Sequence, residues 1–542
     1  MPEAGDENGR IPFRLRIGVT GHRDIDPEPL VDAVRAQVAR LRGQLVMPAA
    51  TPLRLAAVSQ LADGADRLVV REVFAEAEER GEEARLEVVL PLPRDEYAAA
   101  QGFSDVSRAE FEELLARATL VTELHGGEAS GRAYEAAGRE VVGRCDALIA
   151  LWNGGPTGGA GGTAETLLAA AAAGKPCVWI STVDGAVADN LAPGAAAVFQ
   201  HDVAERAAVP PDRRPPAPDL LGDVWSPFRD SIRSLDELNR ERLPRDWAVQ
   251  LERELGAESE SAYWMAPFFL RSSLLAARWQ SRFMWSARLI SLLAIVSAFM
   301  LAVSVTLDES RAWHWAEAAA FMAIVVVLGV VRRLGFHRRW LTYRFLAERL
   351  RSAHYLAIAD VDFRRTPGPQ PAHVQHTSAD WLLRAFEEVW DGRGQAEEDP
   401  ERVRSLLADE WVGGQISYYR RKAARHRRAD RILSAVIGAI FLASILFAVL
   451  DAAGLLEREG LFLSITLPVI GASLGALLSL QQHRPLGERY EWMAVDLAST
   501  RRMILAAAAD SLGPAALEAA RVISEESGDW FGSMWFLDVE QP

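Results

Sequence analysis

ILSAVIGAIFLASILFAVL, at residues 432–450, is the stretch that decides the fold of this chain. Its nineteen residues carry no charge, and seven basic side chains precede them between positions 420 and 431. A helix rises about 1.5 Å per residue, so nineteen residues span roughly 28 Å, close to the hydrocarbon thickness of a bilayer. Helices of soluble cores rarely stay apolar on every face over this length. The stretch therefore predicts a transmembrane helix.

Three further apolar stretches, at residues 289–307, 313–331 and 461–480, predict three more transmembrane helices. The second of them holds a single charge, Glu317, near its start. The four predicted spans pair into two hairpins, because a short loop joins the first to the second and the third to the fourth. This pattern predicts an all-α membrane region with four transmembrane helices.

Arginines cluster at the outer ends of both predicted hairpins, whereas the loops inside the hairpins, around Asp308 and Glu457, are short and not basic. Basic segments stay preferentially on the cytoplasmic side of a membrane. We therefore expect a multi-pass membrane protein with both termini in the cytoplasm. The lipid bilayer is the first partner that the sequence predicts.

The two hairpins resemble copies of one unit. Trp264 and Trp411 lie 411 − 264 = 147 positions apart, and the same offset relates Tyr343 to Tyr490. The predicted spans also come into register under this shift, which indicates an internal duplication. We assign the two copies to residues 261–360 and 406–542, the second with additional C-terminal helices, and the residues between them, 361–405, to a connector.

Composition excludes several classes of protein and site. The net charge of −15 argues against a nucleic-acid-binding protein. Cys145 and Cys177 are the only cysteines. Both lie beside predicted buried strands, which predicts reduced core thiols in a cytosolic domain. His373 and His376 fall in a proline-rich loop, and we predict no metal site there.

Residues 13–183 alternate short apolar strands with helices. Strands are predicted at 14–19, 53–58, 86–90, 120–124, 147–152 and 177–181, and helices at 29–42, 65–80, 108–118, 131–144 and 163–173. This alternation predicts an α/β domain with a Rossmann-like parallel sheet. The residues that follow, 184–260, are rich in proline, with four prolines between 210 and 216, and predict a partly ordered linker.

Three loops at the predicted carboxyl ends of the strands hold the candidate ligand-binding residues, since ligands of parallel sheets bind at this edge. The loops read Gly-Val-Thr-Gly-His-Arg-Asp at 18–24, Ser-Gln-Leu-Ala-Asp-Gly-Ala-Asp-Arg at 59–67 and Gly-Gly-Ala-Gly-Gly-Thr-Ala-Glu at 158–165. The third precedes a helix, whose N-terminal N–H groups and dipole favour an anion. A tryptophan and an asparagine before it are candidates to stack on a base and to bond a ribose. The predicted ligand-binding residues are Gly21, His22, Arg23, Ser59, Gly64, Asp66, Arg67, Trp152, Asn153, Gly161, Gly162, Thr163 and Glu165.

These three loops resemble those of the SLOG superfamily, and the resemblance covers about residues 13–182. The superfamily includes the Lonely Guy (LOG) phosphoribohydrolases and sensor domains for nucleotide-derived signals. LOG enzymes carry the motif Pro-Gly-Gly-x-Gly-Thr-x-x-Glu. Aligned on Gly162 and Thr163, the glutamate of the motif falls on Thr166, whereas Glu165 comes one residue early and the proline is displaced to Pro156. The resemblance implies a nucleotide-derived ligand, and the departure favours binding without hydrolysis.

The second hairpin, with Trp411 and Tyr418-Tyr419 before it, resembles the SLATT domains, and the first hairpin resembles them less closely. SLATT domains are two-transmembrane effectors found with SLOG sensors in bacterial conflict systems. The combination implies an oligomeric sensor–effector of antiviral defence that binds a nucleotide-derived second messenger, uses no further cofactor, and forms or gates a membrane pore. One alternative is a membrane-anchored phosphoribohydrolase that uses His22, Arg23 and Glu165, and another is a scaffold without a pore.

Overall fold

A computed structural model describes residues 9–124, 131–155, 161–191, 195–209, 225–255, 262–306, 310–362, 381–393, 399–455, 458–481 and 483–536. The chain divides into two compact units. One, the α/β unit, is Arg10–Asn239, and the other, the helical unit, is Arg240–Pro542 together with Met1–Gly9.

The α/β unit is built on a seven-stranded sheet. Its strands are β1 Phe13–Gly21, β2 Leu53–Ser59, β3 Arg85–Leu90, β4 Leu120–Glu123, β5 Ala147–Trp152, β6 Cys177–Ser181 and β7 Val187–Asp189. They lie in the order β4-β3-β2-β1-β5-β6-β7. All neighbours are parallel except β6 and β7, which pair antiparallel. The predicted Rossmann-like parallel sheet is confirmed, and β7 is an additional strand at its edge.

Over the residues that the structure describes, eight α-helices accompany the sheet. They are α1 Val31–Gly43, α2 Ala65–Glu78, α3 Arg94–Gln101, α4 Asp105–Ala116, α5 Gly131–Arg144, α6 Thr163–Ala172, α7 Ala195–Ala208 and α8 Ser226–Arg240. β5 is buried along its whole length, as expected for an inner parallel strand with helices on both faces. Cys145 and Cys177 are both buried and not disulfide-bonded, and burial raises the pKa of the Cys145 thiol to about 12. The predicted core thiols are thereby confirmed.

A strand and helices occupy the described parts of the range predicted as a linker, 184–260, and the compact α/β unit extends past the predicted boundary at 183. β7, α7, α8 and a further helix lie within this range. The side chain of Asn239, in α8, bonds the backbone of Ile11, donating to its carbonyl at 2.8 Å and accepting from its N–H at 2.9 Å. Trp225 donates to Gln44 at 2.9 Å. These contacts attach α8 and the residue before it to the rest of the α/β unit, which continues to Asn239. The proline tract itself lies outside the described residues.

The helical unit contains ten α-helices over its described residues. They are α9 Trp247–Leu255, α10 Ala266–Thr306, α11 Arg311–Leu334, α12 Phe336–Ile358, α13 Trp381–Asp391, α14 Pro400–Ser405, α15 Gly414–Ala452, α16 Arg458–Gln481, α17 His483–Ala506 and α18 Leu512–Phe536. The four predicted spans lie in α10, α11, α15 and α16, and four helices are long and apolar enough to cross a membrane. Many large apolar side chains in them point outward, among them Leu442 at 70% and Val325 at 63% exposure. Such surfaces favour contact with lipid.

The two hairpins have the same helical plan. Helices α11 and α16 are each 24 residues long and begin 458 − 311 = 147 positions apart, which is the offset read from the sequence. Helix α10 packs against α11 and α12, and α15 packs in the same way against α16 and α17. The hairpins also contact each other, with the rings of Phe299 and Phe462 5.5 Å apart.

A π-helical segment, Leu406–Gly413, leads into α15. Its Trp411 is 2% exposed and stacks on Tyr355 of α12, with ring centroids 5.0 Å apart and planes at 8°. The Nε of Arg501, in α17, donates to the carbonyl of Ala408 at 3.0 Å. The segment is therefore held from two sides, by α12 and by α17.

Candidate functional site

A cavity of about 630 Å³ opens at the carboxyl ends of the central strands of the α/β unit. Strand β1 lies between β2 and β5, and the chain runs outward from β1 to β4 before it returns to β5. Such a reversal leaves a crevice where ligands of open α/β sheets bind. The cavity lies at this crevice, and its volume is typical of a small-molecule site.

The loop after β1 forms one wall of the cavity. A side chain at Gly21 would lie 2.2 Å from the Cβ of Ala65, so only glycine fits between β1 and α2. The backbone of His22 is fixed by two bonds, from its N–H to Leu151 at 3.0 Å and from Ala65 to its carbonyl at 3.1 Å. The Nε2 of His22 is buried and has no hydrogen-bond partner among the described residues. It is thereby available to a ligand in the cavity.

Arg23 supplies positive charge at the same wall. Its guanidinium lies 5.7 Å from the ring centroid of Tyr134, and both residues line the cavity. The side chain is largely exposed, so it keeps its hydration and its freedom to approach an anion.

The loop after β2 brings a buried carboxylate to the cavity. Asp66, in the first turn of α2, is 5% exposed. It accepts hydrogen bonds from Ser59 Oγ at 2.8 Å and from the Gln60 N–H at 3.0 Å. Burial raises the pKa of Asp66 to about 6, although these two hydrogen bonds and the charge of Arg23 act in the opposite direction. Ser59 therefore acts through Asp66 and does not itself line the cavity.

Gly64 joins the first two loops. Its φ is +74°, and a Cβ there would lie 2.2 Å from the carbonyl oxygen of Arg23. Only glycine adopts this conformation without strain and also allows so close an approach. Gly64 is therefore required for the shape of the site, but it is not among the residues that line the cavity.

Arg67 has a structural role and does not reach the predicted ligand site. It is 1% exposed, and its guanidinium contacts Asp63 and Glu110 at 2.8 and 3.0 Å and donates to the carbonyl of Leu61 at 3.2 Å. The ring of Phe103 lies 4.7 Å away. Arg67 does not line the cavity, because neighbouring positions on a helix point about 100° apart and, of these two residues, only Asp66 faces it.

The third loop places the N-terminus of α6 at the cavity. Gly161, Gly162 and Thr163 line it, while residues 156–160 lie outside the described residues. The N–H groups at the start of a helix favour an anion. Gly161 has φ +83°, and a Cβ there would come within 2.7 Å of Tyr134, so this turn too requires glycine. These residues fit the predicted anion site.

Glu165 does not line the cavity, contrary to its prediction as a ligand-binding residue. It is exposed, and its carboxylate accepts from the Gly161 N–H at 2.7 Å, closing the turn before α6. Thr166, where the LOG motif has its glutamate, is 6% exposed and bonds the Gly162 carbonyl at 3.3 Å. Neither position therefore presents a carboxylate to the cavity.

Trp152 lies at the wall of the cavity, but its side chain packs in the core, so little of its ring is accessible for the predicted stacking on a base. It is 1% exposed and packs against Trp179, with ring centroids 4.7 Å apart. Asn153 lines the cavity, but its Oδ1 accepts from the Gly155 N–H at 2.7 Å and so shapes the loop.

Tyr97 and Tyr134 line the cavity and are absent from the predicted set. Tyr97 lies in α3 and is fully buried, yet its hydroxyl has no hydrogen-bond partner among the described residues. Burial raises the pKa of this phenol well above its usual value, and the charge of Asp66 adds to the effect. Tyr134 accepts a bond from Gln101 at 3.2 Å. Tyr97 thus brings a neutral hydroxyl donor to the cavity.

Comparison with known proteins adds information on the helical unit. Residues 408–530 match the family model described as SMODS and SLOG-associating 2TM effector domain 1 (SLATT_1). Residues 272–359 match a second model, a protein of unknown function (DUF4231). No curated protein matches the chain. The second hairpin is therefore similar to two-transmembrane SLATT effector domains, which together with the four apolar helices supports a membrane-associated effector.

Proposed function

We propose that the protein is a membrane-bound sensor–effector whose α/β unit binds a nucleotide-derived second messenger and whose helical unit forms or gates a pore in the bacterial inner membrane. A role in antiviral defence follows from the association of SLATT effectors with such systems. The observation that carries the proposal is the cavity at the crevice between β1 and β5, in a chain that also contains a SLATT-like hairpin.

The chemistry of the cavity supports a nucleotide-derived ligand. One side has the N-terminus of α6 together with Arg23 and His22, which suit a phosphate. Another side has Asp66 and the hydroxyl of Tyr97, which suit the hydroxyl or amino groups of a sugar or base. Anionic and neutral polar groups within one small molecule are typical of nucleotides.

Binding without hydrolysis fits the site better than phosphoribohydrolase activity. Glu165 is turned away from the cavity, and position 166 is a buried threonine. A signalling role then requires that the ligand bind more tightly to the active state of the protein than to the resting state. An oligomer through the four apolar helices would provide the pore wall.

Binding can be tested with the full-length protein in detergent and a panel of cyclic and linear nucleotides, by isothermal titration calorimetry. We expect Arg23→Gln to weaken binding roughly tenfold, as for loss of a charged hydrogen bond, and Tyr97→Phe about two- to tenfold. Arg94→Gln is the matched control, since Arg94 is an exposed arginine of the same unit paired with Glu112. Equal affinities in all four proteins would contradict the proposed site.

Pore formation can be tested separately, by dye release from liposomes that contain the full-length protein. We expect release only when a ligand identified by calorimetry is present, and less release with Arg23→Gln at the same ligand concentration. No release with a ligand that demonstrably binds would exclude the pore. Release of free base from that ligand would instead favour the phosphoribohydrolase.

A further inference from the structure

The base of the first hairpin has an unusual charge composition. Residues 266–288 and 332–347, which enter and leave its two apolar spans, contain nine arginines and no aspartate or glutamate. We call the six arginines nearest the spans the first collar. They are Arg282, Arg288, Arg332, Arg333, Arg338 and Arg339.

Aromatic side chains hold part of this collar in place. Trp279 is 5% exposed, and two guanidinium groups lie over its ring, that of Arg282 at 4.6 Å and that of Arg339 at 4.7 Å from the centroid. One arginine comes from α10 and the other from α12. A guanidinium stacked on an aromatic ring still directs its N–H groups outward, so the indole holds two planar donors close together.

The collar lies where the headgroups of a bilayer would be. Arg288 immediately precedes the apolar stretch 289–307, and Arg332 immediately follows 313–331. Trp285, one turn before the first span, is 65% exposed, and Arg288 lies 5.4 Å from its ring centroid. An exposed tryptophan beside an arginine at the end of a span is typical of the membrane–water interface.

The second hairpin differs at the same place. Two of its arginines are ion-paired with acids on α17, Arg427 with Glu491 and Arg484 with Glu488. Shifted back by the offset of 147, these acids fall on Arg344 and Leu341. The base of the second hairpin therefore contains acids that pair with its arginines, whereas segments 266–288 and 332–347 of the first hairpin contain none. Arg278, which is outside the first collar, pairs with Glu241 from elsewhere in the chain.

We propose that the first collar binds the headgroup phosphates of anionic phospholipids. A guanidinium matches two oxygens of a phosphodiester, and each basic side chain near an anionic surface contributes about 1 kcal/mol. The clustering on one indole, the high positive charge and the position at the ends of the spans fit a lipid phosphate. The site is independent of the cavity in the α/β unit and requires no signalling ligand.

Lipid retention by the full-length protein tests this proposal. The protein is exchanged into mixed micelles of phosphatidylglycerol and phosphatidylcholine in equal amounts, and retained lipid is counted by native mass spectrometry. We expect the wild type to retain phosphatidylglycerol preferentially. The double variant Arg282→Gln with Arg339→Gln should lower the ratio of retained phosphatidylglycerol to phosphatidylcholine about tenfold.

Two comparisons make the result specific. The double variant Arg427→Gln with Arg484→Gln removes two charges from the second hairpin and should leave the ratio within about twofold of the wild type, because those arginines already have acidic partners. Elution volume and circular dichroism identify any variant that fails to fold. The double variant Arg282→Lys with Arg339→Lys keeps the charge and should retain most of the preference for phosphatidylglycerol.

Three outcomes would overturn the proposal. One is equal retention of the two lipids by the wild type. Another is an equal loss of preference in the variants of both hairpins, which would indicate a general charge effect. The third is displacement of phosphatidylglycerol by inorganic phosphate at an equal concentration, which would indicate a site for soluble anions.

Discussion

The two hairpins share a backbone plan but differ in the side chains that join their helices. Trp279 of α10 packs on Phe336 of α12 with ring centroids 5.4 Å apart. At the equivalent positions of the second hairpin, 147 residues later, His426 of α15 meets His483 of α17, with 2.9 Å between their Nδ1 atoms. The same helix junction is thus apolar in one copy and titratable in the other. The two hairpins therefore share this helix junction but differ in its chemistry.

The outer faces of the trailing helices differ as well. On α12, Phe345 and Leu356 are buried at 7% and 0% exposure. The equivalent residues of α17, Trp492 and Met503, are 71% and 41% exposed. Helix α12 also packs against α13, as in the contact between Tyr343 and Trp381 at 5.9 Å. The first copy therefore forms the better covered core, and the second leaves an apolar face open in the single chain.

The largest expected effect comes from removing the aromatic junction of the first hairpin. Trp279→Ala should lower the stability of the helical unit by about 3–5 kcal/mol, as for other large-to-small core substitutions. His426→Ala, at the equivalent position, should cost about 1 kcal/mol because that side chain is only half-buried. Thermal unfolding in detergent, followed by circular dichroism, measures both. Equal losses would mean that the two junctions contribute equally to stability, which would contradict the difference described between the hairpins.

A second expected effect is an acid-induced loss of stability caused by His354 of α12. This side chain is 2% exposed, and burial lowers its pKa from 6.5 to about 4. The unfolded chain then binds more protons than the folded chain between these two pH values, so stability falls as pH falls through this window. The shift corresponds to about 3 kcal/mol. His354→Phe should make the unfolding temperature less dependent on pH between 6.5 and 4, whereas an unchanged slope would exclude this origin.

A smaller effect of the same sign is expected from the histidine pair of the second hairpin. Burial and the neighbouring charges of His483, Lys422 and Arg425 lower the pKa of His426 to about 4, and burial lowers that of His483. Both side chains are harder to protonate in the folded protein than in the unfolded chain, so acid disfavours their contact. The double variant His426→Trp with His483→Phe installs the junction of the first hairpin. It should remove this part of the pH response, as measured by unfolding in the His354→Phe background.

The smallest expected effect concerns the ion pair of Arg427 with Glu491 in the second hairpin, whose equivalent residues in the first hairpin are Gln280 and Arg344. Glu491→Gln breaks the exposed contact with Arg427 and should cost between 0 and about 1 kcal/mol at low salt. The difference from the wild type should vanish at high salt, because exposed charges are screened. Unfolding at two salt concentrations checks this. A salt-independent loss would show that Glu491 contributes by packing and not by charge.

Periodicity and composition are enough to predict most of the fold. β5 reads Ala-Leu-Ile-Ala-Leu-Trp, an apolar run between turns, and its predicted bounds match the structure. The four spans can also be predicted from the sequence, because a helix that crosses a bilayer needs a long, nearly uninterrupted apolar stretch. The range after 183 is harder to predict, because its prolines suggest a linker. The helices there are fixed by contacts with residues distant in the sequence, such as that of Asn239 with Ile11.

The candidate site is only partly predictable, because neighbouring residues of a helix or strand face different directions. Asp66 lines the cavity and Arg67 does not, although both belong to the same motif. Trp152 ends β5 at the wall of the cavity, but its indole packs on Trp179 in the core. Tyr97 lies in α3, which no motif marks, and it reaches the site only because of how α3 packs. The turn at Gly161 is predictable, because a glycine-rich loop between a parallel strand and a helix allows close approach of a ligand to the backbone.

The π-helical segment Leu406–Gly413 determines the rotation of the long helix α15 about its axis. A π turn contains one residue more than an α turn, so if the same residues formed an ordinary α-helix, everything after Gly414 would turn by about 100°. Trp411, against Tyr355, and Arg501, against Ala408, hold the present setting. The azimuth of 39 residues, and with it the side of α15 that meets α16, is thus chosen by a few contacts that precede the apolar stretch.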